Sequence, residues 1–551
     1  MDSNDFYREF LHELESVDAF LVERDDERAQ IEPADPDVRR LMEAISFFAT
    51  RSRQMTVEQF HGAVHRLVRG HLDELLVPQP SRGLIQAVPN DRLVEPAYLP
   101  QGSEVRVVAP DDAVGLYTTM HGLLLLPLAI EQAALGLRPG GGFRLRIGLS
   151  ARLPLGPVPE PIRVHVSYLN DLAASLRFGF CLQQHLERAS VNYGDTPEPT
   201  AEGAPCELRF GAPAPHDSEA QPHPLGEIRR FFHFPASELF FDVRLPAPER
   251  PWRRAWIDLD LDQDWPTEMV VNRDVFRLFV VPIENLRRGA AEPLTCDGTR
   301  SRYPIRAPAT HADDVLCAVR GVYEETATGA RPIPPAHLAT GAASYEVETV
   351  GTDPATAEHQ VLLRLPGSFE APRQITVDGS WYQPWFDSHA VGPLRVGLQT
   401  RHIEGVRWQV KGTLTAHRPS PLWGRPFEQL ELLSLKSKPV LTRNELMRLL
   451  DLLGAGQSSL FRGMDELIRA VRVREEVSEG AGQGLHYMYE VSVGRFDDRR
   501  RAVVFQFLSQ LWRLVESWTP APARMRVGSD DGARDLLIAG PLASGPDRGM
   551  Q

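Results

Sequence analysis

The chain has 551 residues, of which 42% are hydrophobic and 24% charged, and at roughly 150 residues per domain this suggests three or four soluble globular domains. There are 60 basic and 74 acidic residues, a formal charge of −14. That balance argues against a sequence-independent nucleic-acid binder, which needs a basic face to displace counterions from phosphates.

In chain order, residues 1–78 read as helical. Phe6, Phe10, Leu14, Val17 and Leu21 recur at three- and four-residue spacing, one helix face. A second helix starts at Asp35-Pro36, with the carboxylate as N-cap and proline at N1, and its stripe is Val38, Leu41, Ile45 and Phe48. Thr56 and Gln59 read as a capping box, with Met55 and Phe60 as a staple, opening a third helix. That helix carries Phe60, Val64, Leu67, Val68, His71 and Leu75 and stops at Pro78.

From Pro80 the period changes to two, and Gly and Pro punctuate short runs, the sign of antiparallel β structure. Residues 99–107 read as a hairpin, and 162–168 and 175–182 as strands. Residues 192–223, rich in Pro, Glu, Ala and Gly, read as a surface loop or linker. Next come an aromatic block with the Phe240-Phe241-Asp242 run, an apolar strand ending at Pro282, a Glu284-Asn285-Leu286 turn and Glu292-Pro293. These are packing and turn residues rather than catalytic ones.

Asp258, Asp260 and Asp262 alternate with Ile257, Leu259 and Leu261. A calcium loop counted from Asp258 has Gln263 where Gly is needed and Met269 where Glu is needed, so a half-buried strand with a solvated acidic face is expected. Residues 315–323 read as a strand, 325–343 as a connection and 406–415 as a strand. Trp381, Tyr382, Trp385 and Phe386 form an aromatic patch, either a buried corner or an anchor for a partner. Thr442 and Glu445 make a capping box, and Leu441 staples onto Leu446. The stripe is Leu446, Leu449, Leu450 and Leu453, and Gly454 is the C′ residue. Residues 485–493 read as a strand and 498–518 as a last helix ended by Pro520; 519–551 read as a frayed tail.

Chemistry-bearing motifs are missing. Gly140-Gly141-Gly142 lacks the Lys-Ser/Thr of a phosphate loop and reads as a turn between strands. No Gly-x-Ser-x-Gly or His-Glu-x-x-His occurs, and His61 and His65 read as packing or surface histidines. Cys181, Cys206, Cys296 and Cys317 contain no C-x-x-C pair, so neither zinc nor redox chemistry is indicated, and low cysteine use fits a reducing compartment. No signal peptide is expected, and the longest apolar run, residues 123–130, is far short of the ~20 needed to span a bilayer. Arg499-Arg500-Arg501 reads as a solvated helix end.

Several segments, in shared order, resemble the type VI secretion baseplate family TssF. Residues 37–53, with the preceding Asp35-Pro36, are similar to its "DPxVxRLLExxAFLxAR" opening. Residues 225–307 are similar to "YFxFPxxFxFFDL" followed by "FxLNxxPxxNLFxxxAEPI", with Pro282, Asn285, Leu286, Glu292 and Pro293 at matching positions. Residues 430–453 resemble its "LxLNxLSLxxLRELLxLY" segment. Two departures stand out: Phe279-Val280 replace the family's Asn-Cys, and its Cys-Thr-Asn-Arg motif is absent near the aromatic patch.

The resemblance implies a cytoplasmic scaffold with no catalytic residues, cofactor or metal, and no direct contact with nucleic acid or insertion into the membrane. It implies two TssF copies clasping one TssG-like subunit, contacts to the TssK adaptor and TssE, and a place around the spike protein VgrG, docked at the inner-membrane complex. The expected fold is α+β and multidomain: an N-terminal helical segment (1–78), antiparallel β-rich domains (79–224, 225–345, 346–429) and a C-terminal α+β domain (430–551). Candidate interface residues are Phe6, Phe10, Leu14, Phe60, Val64, Leu67, Trp381, Tyr382, Trp385 and Phe386. The alternatives are a wedge protein of a phage-derived contractile injection particle and, in another class, a β-rich glycoside hydrolase, whose paired carboxylates the sequence alone does not single out.

Overall fold

The computed structural model describes residues 3–24, 36–196, 203–211, 223–350, 358–367, 371–477, 485–519 and 522–529. Its helices are α1 (Ser3–Arg24), α2 (Pro36–Leu72), α3 (Leu172–His185), α4 (Pro224–His233), α5 (Pro426–Lys436), α6 (Arg443–Leu452) and α7 (Arg501–Trp518). The mixed α+β, multidomain expectation holds.

The second and third expected helices are one, the 37-residue α2. Pro36 sits at its start, and the expected cap, Asp35, lies outside the described residues. Thr56 does not cap anything. Its hydroxyl donates to the Ser52 carbonyl one turn back, a bond available to any mid-helix threonine. With no proline or glycine from Asp37 to His61, nothing in the backbone interrupts the helix.

Three antiparallel sheets share the first core. A six-stranded sheet runs Arg395–Leu398, Glu104–Val108, Val114–Thr119, Val280–Glu284, Arg82–Pro89 and Val406–Thr415. A five-stranded sheet runs Ala204–Pro205, Leu186–Tyr193, Trp252–Leu261, Phe143–Leu155 and Leu128–Leu137. A four-stranded sheet runs Glu207–Phe210, Phe240–Arg244, Ile162–Val166 and Phe276–Leu278. Ile85, Val107, Ile147, Val164, Phe178, Phe241, Ile257 and Ile283 interlock between them. A second core (Leu294, Val322, Val361, Ile375, Val377, Trp381) joins a five-stranded and a three-stranded sheet built from residues 287–382. A third core combines the base of α2 with α4, α6, α7 and the strands Ile468–Val477, Leu485–Val493 and Ala523–Ser529.

Several local expectations change. Residues 99–107 are not a hairpin: Ala97–Leu99 pairs with Leu123–Leu125, whereas Glu104–Val108 pairs with Val114–Thr119. Residues 175–182 are helical. Asp171 caps α3 by accepting from the Ala174 N–H, and Leu176, Phe178 and Leu182 are buried from the helix. The loop expected at 192–223 contains Glu207–Phe210, paired with Phe240–Arg244. The connection at 325–343 contains Gly329–Ile333, which folds back on Val315–Thr326. The start of the expected tail is a strand, Ala523–Ser529, parallel to Leu485–Val493; Pro520 and residues 530–551 lie outside the described residues.

The apolar strand expected to end at Pro282 is two strands in two sheets. Phe276–Leu278 pairs with Ile162–Val166, and Val280–Glu284 pairs with Arg82–Pro89. The switch occurs at Phe279, whose φ of 58° lies in the left-handed region that a bulky residue seldom visits.

Candidate partner interfaces

The strongest surface feature is the outer part of α1 and α2. Phe6, Phe10 and Leu14 lie half-buried on the α1 side, with the Phe6 ring 5.7 Å from Phe47. Glu13 pairs with Arg53 at 2.6 Å. Leu41, Ile45, Phe48 and Met55 share one face of α2 and are exposed, Phe48 at 69%. Phe60 and Leu67 are exposed too. Val64 is not: it is 2% exposed, on the opposite-facing stripe of Val68 and Leu72 that packs into the third core, and is a core residue rather than an exposed anchor. Phe427, near the start of α5 and 75% exposed, has its ring 6.2 Å from Phe60 and extends the apolar patch. The sequence reading missed it; a phenylalanine directly after the helix-starting Pro426 was the available signal.

Below this patch α2 is held by polar contacts. Arg69 donates to the Val347 carbonyl at 2.6 Å, and Arg66 approaches Glu346 at 3.4 Å. Burial, together with the nearby Arg69 charge, pushes His65 and His359 down to about 4. At the foot, Arg229 of α4 donates to the Glu74 and Val77 carbonyls, satisfying acceptors just past the helix end.

The aromatic patch divides. Trp381 is buried with its indole N–H on the Gly289 carbonyl, Phe386 is buried against Tyr117, and Tyr382 is 7% exposed. These three are core residues and cannot act as exposed anchors. Trp385 alone reaches the surface, 36% exposed, beside His389. The expected turn at Asn285 is a buried junction. Its amide donates to the Leu116 carbonyl at 3.0 Å and accepts from the Gln383 N–H at 2.5 Å. Gln383 in turn donates to Asp314, which also holds Arg287 at 2.7 Å. One amide therefore ties the six-stranded sheet to the aromatic corner.

The acidic strand is not solvated. Asp258 and Asp260 are buried, each gripped by a two-pronged guanidinium from the neighbouring strand: Arg146 at 2.6 and 2.8 Å, Arg144 at 2.7 and 3.2 Å. Arginine occupies the place a cation would take. Among the described residues no group of three or more His, Cys, Asp or Glu is arranged to hold a metal. A cavity of about 240 Å³ lies where the four-stranded sheet meets Leu124, Leu126 and Phe279; of the charged residues lining it, Arg163 and Asp242 satisfy each other at 2.8 and 3.1 Å. No described helix is long and apolar enough to cross a membrane.

No curated protein matches the chain. Among the solved structures that share its fold are two baseplate assemblies. One is described as the type VI secretion system TssK-TssF-TssG baseplate subcomplex, with TM-score 0.72, 16% identity, and coverage of 92% of this chain and 100% of that one. The other is described as the baseplate complex from the type VI secretion system, with TM-score 0.56, 17% identity, and coverage of 94% and 96%. The sequence family described as Type VI secretion system, TssF, matches residues 27–350. That span is more than half of the 551 residues, and the chain belongs to the TssF family of the type VI secretion system.

Proposed function

We propose that the protein is a structural subunit of a type VI secretion baseplate and works in the cytoplasm in complex with TssG-like and TssK-like subunits. The carrying observation is the continuous apolar face of Leu41, Ile45, Phe48 and Met55 on a helix whose base is built into the core. A rigidly mounted apolar stripe of this kind matches a partner helix. Family membership and a fold shared over most of the chain with baseplate structures support the reading. In its finer form, two copies sit in each wedge with one TssG-like subunit, TssE links the wedge to the sheath, VgrG lies at the centre, and the whole docks at the inner-membrane complex. The interface comprises the α1/α2 face, including Phe6, Phe10, Leu14, Phe60 and Leu67, extended by Phe427, with Trp385 as a separate exposed contact. The protein is not an enzyme.

Co-expression with the neighbouring open reading frames tests this. A stoichiometric complex is expected from the wild type, and Leu41→Ser/Phe48→Ser is expected to lose it without a change in melting temperature. A wild-type chain that ignores those partners at all concentrations would overturn the proposal.

A further inference from the structure

Among the described residues, the long sheet edges are guarded with one exception. Among the described edge strands of seven residues or more, Val406–Thr415 carries Arg407 and Lys411, Ser344–Val350 carries Glu346 and Glu348, and Ala523–Ser529 carries Arg524 and Arg526. Ile468–Val477 carries five charges. Charges there deter a second chain from pairing with the free backbone groups. Leu128–Leu137 is ten residues long and reads LAIEQAALGL, with Glu131 as its single charge and no proline. Its inner neighbour is Phe143–Leu155; no strand is paired on its other side among the described residues.

The side chains along this edge are unevenly covered. Leu128 and Ala133 are buried, whereas Ile130 and Leu135 are only half-covered and Leu137 is 83% exposed. Past the bulge between Ile130 and Gln132, Ala133, Leu135 and Leu137 fall on one side and Ala134 and Gly136 on the other. An added strand would meet unpaired main-chain groups, small side chains on one face and an apolar shelf on the other.

We infer that the outer half of this strand, residues 133–137, is the site at which a second copy of this chain pairs, edge to edge and antiparallel about a two-fold axis, making one ten-stranded sheet from two five-stranded ones. The strand is complementary to itself. With Leu135 on the axis, Leu135 faces Leu135 of the second copy, and the protruding Leu137 faces the small Ala133. Ala134 faces Gly136 without bulk. No like charges oppose each other, and every side chain keeps its face. A contact of this size gives a weak, concentration-dependent dimer. The inference stands on this edge alone, so its failure leaves the baseplate reading intact.

The test uses the purified full chain, with Leu41→Ser/Phe48→Ser to silence the helical face. Light scattering across a dilution series is expected to show a reversible monomer–dimer equilibrium. Leu137→Lys replaces a side chain that is exposed in the single copy, so it should abolish the dimer with the melting temperature unchanged. Under mild oxidation Leu135→Cys should give a disulfide-linked dimer, since residues opposite each other across an antiparallel pair lie within disulfide reach. Leu137→Cys should not, because Ala133 faces it, and the parent with its four free cysteines is the background. A monomer at every dilution, or equal cross-linking at 135 and 137, would sink the inference. So would a Leu137→Lys variant that dimerises normally but fails to capture a baseplate partner, which would assign the edge to a foreign strand.

Discussion

Asp258 and Asp260 sit in a sheet interior that ordinarily rejects carboxylates, and each is accommodated because a guanidinium in register satisfies both of its oxygens. Asp258→Ala strands the Arg146 charge under partial cover, and breaking such a pair costs about 3–5 kcal/mol, to be read from the urea midpoint. A solvated acidic face would have made the change silent. The strand itself was legible from its alternation; its arginines were not, because they lie 112 and 116 residues upstream and only the fold brings them alongside. Asn285→Ala leaves the Leu116 carbonyl and the Gln383 N–H unpaired in the core, about 1–3 kcal/mol for each orphaned group, again read from the urea midpoint. Phe279 sets two effects against each other. Left-handed backbone costs a bulky residue about 1–2 kcal/mol, and asparagine, which tolerates that conformation, relieves it. The phenyl ring, however, is 5% exposed within the first core, and deleting such a ring costs about 3–5 kcal/mol. Burial wins, so Phe279→Asn is expected to lower the melting temperature even though it relaxes the backbone.

At the scale of elements, legibility followed how locally each signal acts. The helix after Thr442 was readable end to end. Glu445 accepts from the Thr442 N–H at 2.8 Å, and Leu441 and Leu446 are both buried in one core. At the far end the Ala455 N–H reaches the Leu450 carbonyl and the Gly454 N–H the Asp451 carbonyl, with Gly454 at a φ of 104°. In α3, by contrast, Leu176, Phe178, Phe180 and Leu182 alternate in sequence, which is compatible with a strand, and the single cap at Asp171 decided otherwise. Helix α2 misled in the other direction, since a Thr-x-x-Gln pattern can sit in mid-helix with the hydroxyl bonded backward. Its continuity changes what a truncation does. Val64, Val68, Leu72, Leu75 and Leu76 belong to the third core. Removing residues 1–55 should therefore keep the circular dichroism melt while abolishing partner binding. Removing 1–79 should also collapse the C-terminal unit, seen as a lower melting temperature and loss of protease resistance after residue 420.

Across the whole molecule, burial has trapped histidines in the neutral form. His165 and His233 are pushed down to about 3, and His65 and His359 to about 4, from an ordinary 6.5. Their folded values lie below the unfolded one, so the unfolded chain takes up more protons once the pH drops under 6.5. Stability is thus full above about pH 7 and is lost as the pH falls toward the folded values. The two most buried, His165 and His233, each supply up to about 1.4 kcal/mol per pH unit in that window. Urea midpoints measured from pH 7.5 to 5 should decline steadily, and a flat profile would contradict the burial of these rings. How the three cores share chain segments was the least legible feature, because the base of α2 and helix α4 pack with residues more than 150 positions later in the sequence. The same mounting gives α2 the mechanics of a lever. Its fulcrum lies at Val64, where apolar packing and the Arg66 and Arg69 contacts set the tilt. From there to Pro36 the arm is roughly 42 Å long at 1.5 Å per residue, so a tilt of about 10° at the fulcrum swings the tip through about 7 Å. Whatever grips Leu41 and Phe48 is therefore positioned by side chains tens of ångströms from the grip.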